Sequence, residues 1–225
     1  MSQLDLFPKP KQLLRHEAIE LLKSYLNQDL RPIADQLGLT QKKQAISNYG
    51  WAGHTVEWLL GSAPNNQQAA DFGDWELKVT CLERLNKEDQ NPFAWRVRNH
   101  IALTGVQAAD LIKTPFEHSH LYEKCRHLLI AGREYIDFED QSSPLMVLCE
   151  YDLSDHIFAQ VKQEYENIQW ALREFGLMGL KDTQGEYLGL QQGSGTRGNA
   201  RFIARKAWVR EMFMNGLRHE LKETV

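Results

Sequence analysis

Between residues 71 and 78 the chain reads Asp71-Phe72-Gly73-Asp74-Trp75-Glu76-Leu77-Lys78. From Asp74 onward the residues alternate between polar and apolar, which is typical of a strand. Side chains two positions apart on a strand point to the same face, so Glu76 and Lys78 are expected about 7 Å apart. Asp71 precedes this strand in a turn that contains glycine and can fold back towards Glu76. The stretch therefore predicts a point where two carboxylates and one ammonium converge.

This combination of groups is suited to hydrolysis of a phosphodiester. Asp71 and Glu76 offer hard oxygen donors, which suit Mg²⁺ because that ion takes one or two carboxylates and keeps several waters. Lys78 can orient the attacking water and offset the charge that develops on the phosphate. Spacing alone leaves an alternative, in which Glu76 and Lys78 simply form ion pairs on an exposed strand.

Helices and strands are interleaved around this stretch without a regular βαβ alternation. Apolar periodicity predicts helices over residues 11–27, 32–37, 51–60, 118–125, 155–175 and 207–221. Alternating or continuously apolar runs predict strands over residues 74–80, 97–104, 127–131, 144–151 and 186–190. The sequence predicts an α/β chain of the α+β kind, with a mixed sheet flanked by helices.

Length and composition place the chain among ordinary globular proteins. Its 225 residues and 26.0 kDa suit one large domain or two tightly apposed lobes. Hydrophobic residues make up 42% and charged residues 25%, which excludes a wholly disordered or fibrous chain. No apolar run approaches the roughly 20 residues that span a bilayer, and residues 1–15 lack the apolar core of a secretion signal.

The three cysteines are an odd number without the spacing of a zinc site. They favour reduced thiols in a cytoplasmic protein. A membrane association is not expected.

The net charge of −4 conceals a local asymmetry. Residues 134–174 are strongly acidic, whereas residues 191–210 contain basic residues and no acidic one. These basic residues are Arg197, Arg201, Arg205, Lys206 and Arg210. A basic stripe on an acidic protein indicates either a surface that faces a polyanion or a solvated, charged loop and helix.

A further carboxylate, Glu57, lies in the predicted helix 51–60 beside Val56, Trp58 and Leu59. Burying a carboxylate among apolar residues is costly unless it is paired or binds a metal. Glu57 is therefore a candidate third acidic group of the same site.

Several blocks occur in one order over residues 45–215 and resemble the MutH-like DNA endonucleases, a family of mismatch-repair nicking enzymes and restriction endonucleases that cut GATC. The blocks are Gly50-Trp51-x-Gly53-x3-Glu57-x-x-Leu60-Gly61, Asp71…Glu76-Leu77-Lys78, Leu103-Thr104-Gly105, Glu117-x-Ser119-His120-x3-Lys124, Gly185-Glu186-Tyr187-Leu188 and Arg205-Lys206-Ala207-Trp208-x4-Phe213-Met214-Asn215.

The resemblance implies a restriction-endonuclease-like fold in which two lobes form a DNA cleft. It places the catalytic lobe mainly in residues 1–150 and the lobe that reads the DNA bases in residues 151–225. It also implies roles for single residues: Asp71 and Glu76 hold the metal, and Glu57 supports a metal or water. Lys78 positions the nucleophile, and Lys124 lies close to the scissile phosphate.

The sequence departs from the mismatch-repair members in two places. The spacer between Asp71 and Glu76 is two residues shorter. Where those members carry an Arg-Pro-Lys segment, residues 189–196 read Gly-Leu-Gln-Gln-Gly-Ser-Gly-Thr. Glutamine can bind an adenine edge through N6 and N7. The candidate DNA-binding residues are Gln191, Gln192, Arg197, Arg201, Arg205 and Trp208, although an ordinary polar turn and a core tryptophan are open alternatives.

The sequence thus predicts a monomeric endonuclease that uses Mg²⁺, or Mn²⁺ in its place, and acts on double-stranded DNA. The leading expectation is nicking at hemimethylated GATC-type sites in mismatch repair, with or without a MutL-like activator. One alternative is a type II restriction endonuclease with a related site. Another is a DNA-binding module without catalysis, against which the intact set Asp71, Glu76 and Lys78 argues.

Overall fold

A computed structural model describes residues 13–40, 50–62, 72–85, 93–136, 142–176, 185–192 and 199–221. The helices in these ranges are α1 (Arg15–Lys23), α2 (Leu30–Gln36), α3 (Trp51–Leu59), α4 (Ala108–Leu111), α5 (His120–Cys125), α6 (Asp155–Phe175) and α7 (Lys206–Asn215), with a short 3₁₀ helix at Phe116–His118. The strands are β1 (Glu76–Arg84), β2 (Trp95–Val97), β3 (Ile101–Gln107), β4 (His127–Glu134), β5 (Leu145–Asp152), β6 (Leu188–Gln192), β7 (Asn199–Ala204) and β8 (Leu217–His219).

The larger sheet has five strands in the order β2-β1-β4-β5-β8. Its two central strands, β1 and β4, run parallel, with Glu76 opposite Leu128 and Lys78 opposite Ile130. The pairs β1–β2, β4–β5 and β5–β8 are antiparallel. The expected mixed sheet is therefore confirmed.

Helices cover both faces of this sheet, and the central strand β4 shows why its sequence is continuously apolar. Leu129 and Ala131 pack into a core formed with α1, α2 and α3 on one face. Leu128 and Ile130 pack on the other face into a core shared with α5, α6 and α7. A strand buried on both faces needs apolar residues at every position rather than at alternate ones.

A second sheet of three strands, in the order β3-β7-β6, lies against the second of these cores. Its strands are antiparallel, and Tyr165 of α6 stacks on Phe202 of β7 at 5.5 Å between ring centroids. The expected division into two lobes near residue 150 stays a prediction. β3 comes from the first part of the chain but pairs with β7, and β8 returns to pair with β5.

Two other expected elements differ from the structure. The single strand over 97–104 is two strands, because β2 pairs with β1 whereas β3 pairs with β7 in the other sheet. The last helix ends at Asn215 rather than at residue 221, since Gly216 turns the chain into β8. By contrast, α6 has the expected bounds.

No helix within the described ranges is both long enough and apolar enough to cross a bilayer. All three cysteines are buried thiols. Burial raises the pKa of Cys125 and of Cys149 to about 12.

Candidate active site

Two lysines converge on one oxygen of a buried glutamate at the start of β1. Glu76 is the first residue of that strand and is 1% exposed. Its Oε1 accepts a hydrogen bond from Lys78 Nζ at 2.6 Å and another from Lys124 Nζ at 3.0 Å. A buried carboxylate is tolerated when it is paired and hydrogen-bonded in this way. We call Glu76, Lys78 and Lys124 the Glu76 cluster.

Strand geometry explains the first contact of the Glu76 cluster. Glu76 and Lys78 share a face of β1 because successive side chains alternate. Leu77, between them, points to the opposite face and packs in the core with α3. The expected placement of Glu76 and Lys78 on one face is confirmed.

Parallel pairing brings Lys124 to the same point from 48 residues away in the chain. Because β1 and β4 are parallel, their first residues lie at the same end of the sheet, and Glu76 is opposite Leu128. The helix α5 leads directly into β4, so its last turn lies beside the start of β1. Lys124 is in that last turn and is 7% exposed.

The residues before Lys124 fix the start of α5. Ser119 is the N-cap: its Oγ accepts the backbone N–H of Tyr122 at 3.2 Å and donates to the carbonyl of Phe116 at 2.6 Å. His120 pairs with Glu123 at 3.1 Å. Lys124, at the end of the block that begins at Glu117, contacts Glu76.

A tight turn sets the entry into β1. The backbone N–H of Phe72 donates to the carbonyl of Trp75 at 3.3 Å, and their rings stack at 4.3 Å between centroids. Gly73 has φ of 86°, a conformation that favours glycine. Asp71, the residue before this turn, lies outside the described residues. Its predicted role stays a prediction.

Glu57 lies in the last turn of α3 and is half-buried. Its carbonyl accepts the backbone N–H groups of Leu60 and Ser62. Through Val56, α3 packs in the core that contains Leu77, on the face of the sheet opposite to Glu76. The predicted role of Glu57 in supporting a metal or water stays a prediction.

The described donors are only part of the predicted metal site. In the portions of the chain that are described, no three His, Cys, Asp or Glu side chains form a group that could hold a metal. Glu76 contributes oxygen donors, which is the donor type that Mg²⁺ takes. The donor chemistry fits a hard divalent cation, and Asp71 would have to complete the set.

Apart from Trp208, the candidate DNA-binding residues fall into three groups. Gln191 and Arg201 are opposite each other on β6 and β7, and Arg201 Nε donates to Gln191 Oε1 at 3.1 Å near the surface. Arg205 is half-buried at the N-cap of α7 and donates to the carbonyl of Gly185. Arg197 and the side chain of Gln192 lie outside what the structure describes.

The prediction that Trp208 binds DNA is wrong. It is 0% exposed, and its indole N–H donates to the hydroxyl of Tyr151 at 3.2 Å. A side chain without exposed surface cannot contact DNA directly. Trp208 is a core residue of the amphipathic helix α7.

Two buried polar residues, one on β1 and one on α6, were not predicted. Thr80 continues the alternation of Glu76 and Lys78 on β1, is 4% exposed, and has a hydroxyl without a hydrogen-bond partner among the described atoms. Its position, two residues after Lys78 on the same strand, could have predicted that it shares the face of Glu76 and Lys78. Glu164 is buried in α6, where the sequence indicated only core packing.

A cavity of about 300 Å³ lies between β3, the start of α5, α6 and β7. Its lining includes Thr104 and Gly105 of one block that carries the family resemblance, and Ser119 and His120 of another. The fold thus brings these separate blocks together beside the helix that carries Lys124.

Comparison with known proteins supports the resemblance. Residues 60–163 match the family model of the DNA mismatch repair enzyme MutH. No curated protein sequence matches the chain. Among solved structures, the chain is similar to the restriction endonuclease MvaI in complex with its cognate DNA substrate. The TM-score is 0.39 and the identity 14%, over 91% of this chain and 98% of that chain.

The matched segment contains the whole Glu76 cluster and ends within α6. Glu57 and the strands β6 and β7 lie outside it. Over residues 60–163, which include the Glu76 cluster, this chain is thus similar to the family of the DNA mismatch repair enzyme MutH.

Proposed function

We propose that this protein is a Mg²⁺-dependent DNA endonuclease that nicks one strand of hemimethylated GATC-type sites in methyl-directed mismatch repair. The observation that carries the proposal is the Glu76 cluster, in which two ammonium groups meet one buried carboxylate inside the segment that matches the family. Both lysine ammonium groups lie within hydrogen-bonding distance of the same Glu76 oxygen. Positioned ammonium groups of this kind can stabilise the negative charge that develops during phosphodiester hydrolysis.

Charge arithmetic supports a divalent cation and a phosphate at this place. The Glu76 cluster carries one negative and two positive charges. Asp71 and Glu57 would bring the proposed set to a net charge of −1. A divalent cation would then give +1, which complements the single charge of a phosphodiester.

Glu76, Asp71 and Glu57 would hold the cation. When bound, it supplies electrostatic stabilisation to the oxygens of the scissile phosphate. Mn²⁺ is expected to substitute for Mg²⁺ because both accept carboxylate and water oxygens.

Each lysine would act through the N–H donors that remain after its hydrogen bond to Glu76. An ammonium has three N–H donors, so bonding to Glu76 still allows each lysine to donate to another oxygen. Lys78 would orient the attacking water, and Lys124 would donate to a phosphate oxygen as negative charge develops there. Glu76 holds both ammonium groups in place and thereby limits the reorganisation that the reaction requires.

Base reading is assigned to the hairpin of β6 and β7. Gln191 and Arg201 present neighbouring polar groups near the surface of that hairpin. Gln192, Arg197 and Arg205 would add contacts to bases or phosphates. The protein would act on double-stranded DNA as a cytoplasmic monomer, with or without a MutL-like activator.

Restriction is the second candidate function. The segment 189–196 replaces the Arg-Pro-Lys segment of the mismatch-repair members, and the spacer before Glu76 is shorter. Both differences favour a type II restriction endonuclease with a related recognition site. The Glu76 cluster would do the same chemistry in either role.

A plasmid assay separates these candidates. Supercoiled plasmid that contains GATC sites would be prepared unmethylated, hemimethylated and fully adenine-methylated, and incubated with the protein and Mg²⁺. Open-circular product from the hemimethylated and unmethylated forms supports the repair enzyme. Linear product supports restriction. Intact plasmid in all three forms, while the protein still binds DNA, would favour the non-catalytic binding module.

The metal requirement is tested with the same plasmid. We expect cleavage with Mg²⁺ or Mn²⁺, and binding without turnover in Ca²⁺, because Ca²⁺ prefers more ligands at longer distances. Undiminished cleavage in excess EDTA would contradict the metal site.

A further inference from the structure

Glu164 is a buried carboxylate that the proposed chemistry does not use. It lies in α6, is 4% exposed, and accepts backbone N–H groups from three consecutive residues. Its Oε1 accepts Glu186 N–H at 2.8 Å, and its Oε2 accepts Tyr187 N–H at 3.0 Å and Leu188 N–H at 2.6 Å. A carboxylate held by several backbone donors is a strong, charge-assisted anchor. Glu164 therefore ties α6 to the segment that begins β6.

Gly185 allows this close approach. A Cβ at that position would lie 2.1 Å from Glu164 Cδ, well inside van der Waals contact. Glycine is thus required by the carboxylate that packs against it rather than by its backbone conformation. This gives a physical reason for the glycine of the block Gly185-Glu186-Tyr187-Leu188.

Arg205 holds the same turn from the other side. Its guanidinium donates to the carbonyl of Gly185, and its backbone N–H donates to the carbonyl of Tyr187 at 2.7 Å. The turn at residues 185–188 is therefore fixed between α6 and the start of α7.

The anchored turn leads into the hairpin assigned to DNA reading. β6 is last in the order β3-β7-β6, so β7 is its one neighbour among the strands that the structure describes. Gln191 lies three residues after Leu188 on the same strand. A strand at the edge of a sheet is held by fewer hydrogen bonds than a central strand, so contacts at its ends matter more for its position. Glu164 of α6 provides such a contact at Leu188, the first residue of β6.

We propose that Glu164 is a positioning residue for DNA recognition: it holds the start of β6 and thereby sets where Gln191 and its neighbours meet the bases. This inference rests on the proposed endonuclease function. It predicts that loss of the carboxylate weakens productive DNA binding while the Glu76 cluster, which lies on another element, keeps its turnover.

The test compares Glu164→Gln with Glu166→Gln. Glutamine keeps the shape of Glu164 but offers one acceptor oxygen instead of two, and Glu166 is an exposed glutamate of the same helix. With supercoiled GATC plasmid and Mg²⁺, we expect Glu164→Gln to raise KM about tenfold or more and to leave kcat within about threefold. We expect Glu166→Gln to match the wild type in both constants.

A second measurement does not depend on cleavage. Hydrogen exchange in the protein without DNA should be faster at the amides of Glu186, Tyr187 and Leu188 in Glu164→Gln, and unchanged in β1 and β4. Gly185→Ala should produce the same exchange pattern. Because both substitutions break one contact, their effects on KM should not add in the double variant.

Failure of the endonuclease function and failure of the positioning role of Glu164 give different results. If the wild type leaves the plasmid intact, the endonuclease function fails, and the exchange pattern alone shows whether Glu164 holds the turn. If the wild type cleaves but Glu164→Gln has unchanged KM, or loses kcat in proportion to its folded fraction, the positioning role is overturned. Unchanged exchange at residues 186–188 also overturns it.

Discussion

Lys78 and Lys124 share one oxygen of Glu76 but are held there in different ways. Lys78 is fixed by the period of β1, so any strand at that position would place it beside Glu76. Lys124 depends on the tertiary pairing of β1 with β4 and on the N-cap of α5. The first contact could be predicted from spacing, whereas the second required the family resemblance.

We expect Lys78→Ala and Asp71→Ala each to reduce plasmid cleavage about 10²–10³-fold or more, because a positioned electrostatic group acts on the transition state. DNA binding should change little. Lys23→Ala is the matched control, since that lysine is on α1 and pairs with Glu20. Cleavage by either active-site variant within tenfold of the wild type would reject the assignment.

Elements whose sequence pattern is entirely local were predicted well. The helix α6 has the expected bounds because its apolar face repeats along the whole length of 155–175. The strands β2 and β3 were merged because local alternation says nothing about which strand a residue pairs with. The end of α7 was missed because Gly216 is followed by residues that suit either a helix or an edge strand. The burial of Trp208 was likewise not predicted, because it depends on packing against residues distant in the sequence.

Gly216 and Gly53 should respond to alanine with opposite signs. A Cβ at Gly216 would lie 2.6 Å from the carbonyl oxygens of Glu150 and Met212, which are backbone atoms and cannot move aside cheaply. We expect Gly216→Ala to lower the free energy of unfolding by about 1–3 kcal/mol. A Cβ at Gly53 in α3 meets nothing within 4 Å, so Gly53→Ala should raise it by up to about 1 kcal/mol.

Urea denaturation of the Gly53 and Gly216 variants measures both changes. Equal effects would contradict the packing described for the junction of α7 and β8.

The hairpin of β6 and β7 gives a prediction that depends on salt. If Arg201 contacts a phosphate, Arg201→Ala should weaken binding to all duplexes and reduce the salt slope by about one. If it contacts a base, the loss should be about 1–3 kcal/mol and confined to the cognate site. Arg197→Ala is measured in parallel. Unchanged affinity for both variants at every salt concentration would place the DNA-facing surface elsewhere.

At the scale of the whole molecule, α1 is tied to the main sheet by an ion pair that acid should break. The guanidinium of Arg15 donates to both oxygens of Asp152 at 2.6 and 3.0 Å and, with His127, holds the pKa of that carboxyl below its usual 3.8. A lowered pKa in the folded state contributes stability at pH above about 4, and this is lost as pH falls through the folded pKa.

We therefore expect Asp152→Asn to lower the Tm at pH 7 and to flatten the fall of Tm below pH 4. Asp110→Asn, on the exposed surface of α4, is the control. Thermal melts from pH 3 to pH 7 measure both variants. If the Asp152 variant follows the wild type over the whole range, the ion pair contributes nothing to acid stability.

The path of the chain between its two sheets also sets the order in which parts of the protein can fold during synthesis. The parts that form the Glu76 cluster have all been made once Glu134 is added, but β3 waits for β7, which ends about 70 residues later. At roughly 5–20 residues per second, this delay is about 4–14 seconds. During that interval the nascent chain would hold its hydrolytic residues without the hairpin proposed to select DNA. If the proposed roles are correct, the pairing of β3 with β7 postpones recognition, rather than chemistry, by that interval.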